Sequence, residues 1–286
     1  MLSREEYIEQ AYFFRTWRER LDNATAAQEL LVEIREEILT TTRLPMAIDF
    51  LAGEMQLHGR IGDGMQQLKH YFNPFQAFVV QMAELENTRF DFRIALEILE
   101  REAEYRSSDT VLPAALFVFQ FECVARNRLG YDKGLLAISQ DSLYPPNWKR
   151  WIERIRFQLG TVDFSDLVYR QSEQCLEDQK KKTGNEDLTT ENVLFDRQAG
   201  RIARANMGKD PLYMFAALQR QLSYPAVPRP KPSSTRPLFD PQVELRFQRI
   251  ESRMTMLEQE QKGGIDLTPY MKSPDGKSRP DFDSAP

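Results

Sequence analysis

The sequence predicts an all-α protein. Its body is a set of stacked helical hairpins, either a solenoid or a compact bundle, followed by a C-terminal extended arm with one isolated amphipathic helix. Three observations lead there. Apolar residues recur three and four positions apart along nearly all of residues 1–225, which gathers them on one face of a helix. Pro45, Pro74 and Pro113 each open an apolar stretch, and fifteen positions after each stands an arginine: Arg60, Arg89 and Arg128. A turn-like step and a second apolar stretch follow each arginine, a recurrence typical of stacked helix pairs. After Tyr224 the composition changes abruptly to proline-rich.

The elements follow in order. Ser3 and Glu6 have capping-box spacing ahead of Tyr7, Ile8, Ala11, Phe14 and Leu21. Thr25 and Gln28 have the same spacing before Ala27, Leu30, Leu31, Ile34 and Ile38. Asn73 caps a helix whose first residue is Pro74, where the missing N–H costs nothing. Its inward face reads Phe75, Phe78, Val79, Met82 and Leu85, and a partner helix carries Phe92, Ala95, Leu96 and Leu99. The stretch from Pro113 to Arg126 is apolar nearly all round, as in a helix with neighbours on several sides. Phe117, Phe119 and Phe121 also alternate as in a strand, but Ala114, Ala115 and Leu116 before them favour helix.

Pro146 and Asn147 open a helix with Trp148, Trp151, Ile152, Ile155 and Leu159. Asp163 and Asp166 open another, with Phe164, Leu167, Val168 and Cys175, which ends in Lys180, Lys181 and Lys182 before Gly184. Cations suit the negative end of the helix dipole. A more polar helix is expected from about Glu191 to Met207, with Gly200 in its middle marking a close approach of another helix. Asp210 and Pro211 start a last helix bearing Leu212, Phe215, Ala216 and Leu222.

Four segments result: a helical body (1–225), a proline-rich linker (226–240), a heptad-patterned amphipathic helix (241–262) and a disordered tail (263–286). Prolines between Pro225 and Pro241 favour a semi-rigid extended chain. Val243, Phe247, Ile250, Met254 and Leu257 alternate by four and three, a coiled-coil seam. A tethered helix of this kind self-associates, docks on its own body or enters a partner's groove. In the tail, Ile265, Leu267, Tyr270 and Met271 are spaced like a short linear motif.

The segment Leu129–Gly130–Tyr131–Asp132–Lys133–Gly134–Leu135 resembles the turn and second-helix opening of a tetratricopeptide repeat. In that register Gly134 takes the small position, Ile138 the large apolar position and Pro146 the closing proline. One repeat earlier Ala83, Ala95 and Leu99 fit the small, small and large positions, and Gly62 and Gly64 mark a similar turn before Met65 and Leu68. The likeness covers about residues 45–146, and the family's first-helix aromatic and glycine positions have no clean counterpart. It implies helical hairpins with a concave binding face.

Composition narrows the function classes. The chain has 286 residues, with 41% hydrophobic and 28% charged residues, as in ordinary globular proteins. A mean hydropathy of -0.55 argues against a membrane protein. A net charge of -5 argues against a dedicated nucleic-acid binder. Arg4, Glu5 and Glu6 stand where a signal peptide needs apolar residues, and a cytoplasmic location is expected. The histidines are His58 and His70 and the cysteines Cys123 and Cys175, in no metal-ligand or nucleophile–base spacing. No catalytic residue, metal or cofactor is therefore expected. Arg197, Arg201 and Arg204 fall on one helix face, where planar guanidinium forks suit an acidic partner or anion. The leading expectation is a non-catalytic adaptor or scaffold binding another protein. The alternatives are an all-helical enzyme whose site forms only in three dimensions, or a nucleic-acid-associated factor.

Overall fold

The computed structural model describes residues 2–21, 26–85, 90–184 and 193–229, together with Met254. The chain divides into two compact units, Met1–Pro230 and Lys231–Pro286. Of the second unit Met254 alone is described, helical and more than half exposed. The seam positions Val243, Phe247, Ile250 and Leu257 and the tail positions Ile265, Leu267, Tyr270 and Met271 lie outside the described residues.

Among the described residues of the first unit, regular structure is helical throughout: α1 (Arg4–Arg20), α2 (Ala27–Glu37), α3 (Leu44–His58), α4 (Gly62–Gln67), α5 (Pro74–Glu84), α6 (Phe92–Arg106), α7 (Pro113–Arg126), α8 (Tyr131–Ser139), α9 (Pro146–Gln158), α10 (Phe164–Arg170), α11 (Glu173–Thr183), α12 (Arg197–Ala205) and α13 (Pro211–Leu222). None is long and apolar enough to cross a membrane. The three echoing prolines stand in the first turns of α3, α5 and α7. Each of these helices packs against its successor, α4, α6 or α8. The stack does not stay sequential. The N-terminal α1 lies along α6, α8 returns to α5, and α13 covers α7, so one core runs continuously from Phe13 to Val227.

Helix α7 is central, with every residue from Ala115 to Val124 buried. Its phenylalanines settle the strand ambiguity. Phe117 and Phe121 stack on each other at 5.9 Å and meet Trp151 and Phe164, while Phe119 turns to Tyr224. Helical geometry puts residues four apart on one face.

Several local expectations need correction. Ser3 caps the backbone N–H of Glu6, but the Glu6 carboxylate does not reach back to close a capping box. It accepts from the Arg43 N–H at 2.9 Å and the Tyr71 hydroxyl at 2.7 Å, tying α1 to two distant segments. The residue that caps α2 is Ala26, without a side-chain bond. Leu85, expected inside, is 44% exposed. The helix expected to run unbroken past Asp163 stops at Gln171. Ser172 caps a new helix by accepting from the Cys175 N–H, and its backbone bridges to Phe195. The pairing with Phe195 also delays α12, which begins at Arg197 rather than near Glu191.

Gly200 makes the close approach that its mid-helix position suggested. A β-carbon there would lie 2.5 Å from the Ser172 β-carbon and 2.8 Å from that of Gln174. Gly53, inside α3, is the opposite case, with open space where its β-carbon would stand. Removing a helical glycine gains about 1 kcal/mol, whereas forced overpacking costs about 1–3 kcal/mol. Urea denaturation is therefore expected to show Gly53→Ala more stable than the parent and Gly200→Ala less stable.

Candidate functional site

A groove runs along α5, bounded by α4 on one side and α8 on the other. Its middle part is a cavity of about 260 Å³ with a floor of Phe72, Ala77 and Phe78 and a rim that includes Lys69, Lys133 and Gln140. A second cavity of about 390 Å³ shares Lys69, Phe72, Pro74 and Gln140 and extends to Tyr7, Arg43, His70, Arg106 and Asp141. A third, of about 280 Å³, shares Phe78, Gln81 and Lys133 and extends to Arg60, Met82 and Glu84. Shared lining residues make the three one trough.

Local sequence builds each wall. Asn73 and Gln76 form a reciprocal capping box with Pro74 at the first position, which fixes where α5 begins. Gly62 and Gly64, expected as a turn, lie inside α4. A β-carbon on Gly62 would come within 2.6 Å of Gln81, and one on Gly64 within 2.9 Å of Glu54. Their bareness lets α4 pack tightly on its neighbours. Glu84 secures that wall by accepting from the N–H groups of Ile61 at 2.6 Å and Gly62 at 2.9 Å. Burial pushes its carboxyl pKa up, against the pull of these two N–H groups. On the far wall, a β-carbon at Gly134 would lie 2.9 Å from Val124. This close approach presses α8 onto α7 with Lys133 at the groove edge.

The trough is polar at its rim and apolar at its floor. Arg43, Lys69, His70 and Lys133 are exposed. Lys69 and Lys133 have no ion pair among the described residues. Among the lining carboxylates, Asp141 accepts from Arg106, and the third cavity sets Asp63 and Glu84 beside Arg60.

Beneath the wide end lies a buried polar cluster. Arg106, with 2% of its side chain exposed, donates to Glu102 at 3.0 Å and to Asp141. Glu102 also accepts from Gln120 at 2.6 Å and Asn73 at 3.2 Å. The Tyr144 hydroxyl donates to Gln120 at 2.7 Å, and Asp141 caps the N–H of Leu143 at 2.9 Å. Burial opposes the charge on Arg106, but attraction to Glu102 and Asp141 outweighs it and holds the guanidinium protonated. Burial likewise drives the phenol of Tyr144 upward. Both shifts lead away from neutral pH, whereas acid–base catalysts are tuned toward it. The cluster therefore has the chemistry of a structural tie. Among the described residues no three His, Cys, Asp or Glu side chains are grouped to hold a metal.

The arginine stripe is only partly an open face. Arg197 pairs with Glu177 at 3.1 Å and Arg204 with Asp178 at 2.6 Å, so both clasp α12 to α11. Arg201 is exposed between them. The stripe and the groove are built from different helices. Sequence reasoning did not single out Lys69, Lys133, Arg106 or Asp141. One signal for the cluster is present: Gln120 interrupts the most apolar helix, and it is buried and donates to Glu102.

Arg106→Met strands two carboxylates in the core, so it is expected to destabilise by about 3–5 kcal/mol in urea denaturation. A pH series checks the buried phenols of Tyr71, Tyr144 and Tyr224, all raised by burial. A raised phenol stabilises fully below its unfolded value, and that contribution is lost as pH rises through the folded value. The urea midpoint should therefore hold up to about pH 10 and fall above it, with a shallower fall for Tyr144→Phe.

Comparison of the chain with protein-family models, curated proteins and solved structures finds no match.

Proposed function

We propose that this protein is a non-catalytic adaptor whose helical body holds an extended acidic segment of another protein in the groove along α5. The carrying observation is the trough itself: an aromatic and aliphatic floor edged by the exposed lysines Lys69 and Lys133, on a chain whose net charge is -5. A positive groove on an acidic molecule attracts acidic segments, while the net negative charge of the rest of the chain disfavours their binding elsewhere on it. Three adjoining cavities suit an extended chain, with apolar side chains on the floor and carboxylates at the rim. In the same proposal the arm's helix, 241–262, engages a second copy or a second protein. Joining two such modules raises avidity through effective concentration. A cytoplasmic setting is part of this reading. Both cysteines are buried and unpaired, the state that a reducing compartment maintains.

The test is fluorescence anisotropy with labelled peptide pools that are acidic or basic around a central aromatic residue. Acidic pools are expected to bind and basic pools not. The double variant Lys69→Glu and Lys133→Glu should weaken binding by about tenfold or more, given roughly 1 kcal/mol for each exposed charge. Equal binding of both pools, or binding indifferent to the two lysines, would sink the proposal. Binding of polyanionic nucleic acid in preference to the acidic peptides, lost steeply with salt, would favour the nucleic-acid alternative.

A further inference from the structure

We infer that the outer face of α3 is a self-association surface, on which two copies of this chain pair their α3 helices antiparallel. The first observation is an apolar ridge that is left exposed among the described residues. The inner face of α3 is buried through Leu44, Ala47, Ile48, Leu51 and Ala52. Its outer face carries Met46, Phe50, Gly53 and Leu57, spaced four, three and four apart as in a coiled-coil seam. Met46 and Leu57 are each 76% exposed, a level surpassed among the described large hydrophobic residues by Phe157 alone. Phe50 is half-buried, its ring resting partly on the core.

The second observation is Gly53. A glycine inside a helix costs about 1 kcal/mol relative to alanine. The other helical glycines, Gly62, Gly64, Gly134 and Gly200, each face a neighbour that a β-carbon would meet within 3 Å. Gly53 has nothing within 4 Å. Among the described residues no close approach calls for this glycine. A helix from another molecule, laid along the ridge, would supply one.

The third observation selects a second copy as that molecule. Met46 and Leu57 are equally far from the point between Leu51 and Ala52, and so are Phe50 and Gly53. A two-fold axis at that point puts the Phe50 of each copy over the other's Gly53, and each Met46 against the other's Leu57. Large then meets small at the centre, and apolar meets apolar at both ends, as an isologous contact requires. The flanks do not oppose it. In an antiparallel seam Asp49 faces Gln56 across the interface, and Asp49 is already neutralised by Arg35 at 2.7 Å. The ridge is only about 16 Å long at 1.5 Å per residue. Such a small contact gives a reversible, concentration-dependent dimer. It is independent of the groove reading.

Sedimentation velocity on the full chain, from about 1 to about 300 µM, gives the first readout, since contacts of this size are weak. A monomer–dimer equilibrium is expected. Leu57→Glu, at a site exposed enough to leave the fold intact, should weaken it by about tenfold or more through loss of one buried apolar side chain per copy. Gly53→Leu should raise the melting temperature of the monomer yet weaken the dimer, two effects of opposite sign that general destabilisation cannot produce. Register is read by oxidative cross-linking of Met46→Cys mixed with Leu57→Cys. The native thiols are buried, so they do not compete. The mixture should cross-link well above either variant alone, because like positions lie about 16 Å apart and disulfides need β-carbons about 4 Å apart. A monomer at every concentration overturns the inference. So does a dimer unmoved by Leu57→Glu and Gly53→Leu, which would shift association to residues 241–262.

Discussion

The buried ion cluster around Arg106 is the constraint on which the rest of the body depends. A guanidinium and two carboxylates removed from water are tolerable only if each has its partners, and those partners come from four parts of the chain. Arg106 and Glu102 belong to α6, Asn73 to the cap of α5, Gln120 to α7, and Asp141 and Tyr144 to the connection after α8. Helix α1 closes over the same place, with the Tyr7 ring 6.0 Å from the guanidinium. Apolar packing tolerates small slips of helix against helix, because dispersion is non-directional. A hydrogen-bonded cluster does not, since a shift of one turn leaves several buried polar groups unpaired. The cluster thus sets the register of the stack, and through Asn73 it also fixes where the groove along α5 starts.

A second rule shapes the walls. Where two helices must lie closer than a β-carbon permits, the chain carries glycine. Gly62 and Gly64 bring α4 onto its neighbours, Gly134 brings α8 onto α7, and Gly200 brings α12 onto the cap of α11. Each lowers helix propensity and is offset by contact area on the partner. The trough depends on three of these positions. A bulkier residue at Gly134 would lift α8 and carry Lys133 away from the apolar floor.

Much of the architecture was legible because it rests on local signals. Helix periodicity, the Asn73–Pro74 start, the Gly184 stop and the enclosed character of α7 are all written in neighbouring residues. The errors occur where a distant partner overrides a local preference. Glu6 has capping-box spacing, yet Arg43 and Tyr71 claim its carboxylate. Asp163 to Lys182 has the pattern of one helix, yet the bridge from Ser172 to Phe195 cuts it in two. The groove was the least legible part. Lys69 and Lys133 are ordinary surface lysines by type and spacing, and only the packing of α4 and α8 on either side of α5 brings them to one rim. The arginine stripe shows the reverse. Its spacing was plain, but α11 supplies Glu177 and Asp178 and converts two of its three cations into an internal clasp.

This difference between clasped and open cations bears most on function. A surface arginine paired within its own fold must lose that pair before it can serve a ligand, and the loss is subtracted from affinity. Lys69 and Lys133 carry no such debt, and the floor between them is already shaped by buried aromatic rings. Helix α4, which leads into the turn carrying Lys69, is held by the carboxylate of Glu84, and α8, which carries Lys133, by the Gly134 contact. In the proposed reading, these fixed walls are what would let a bound segment keep most of its interaction energy as affinity. Preorganisation of this kind is the property that the proposed groove would need in order to act as more than a gap between helices.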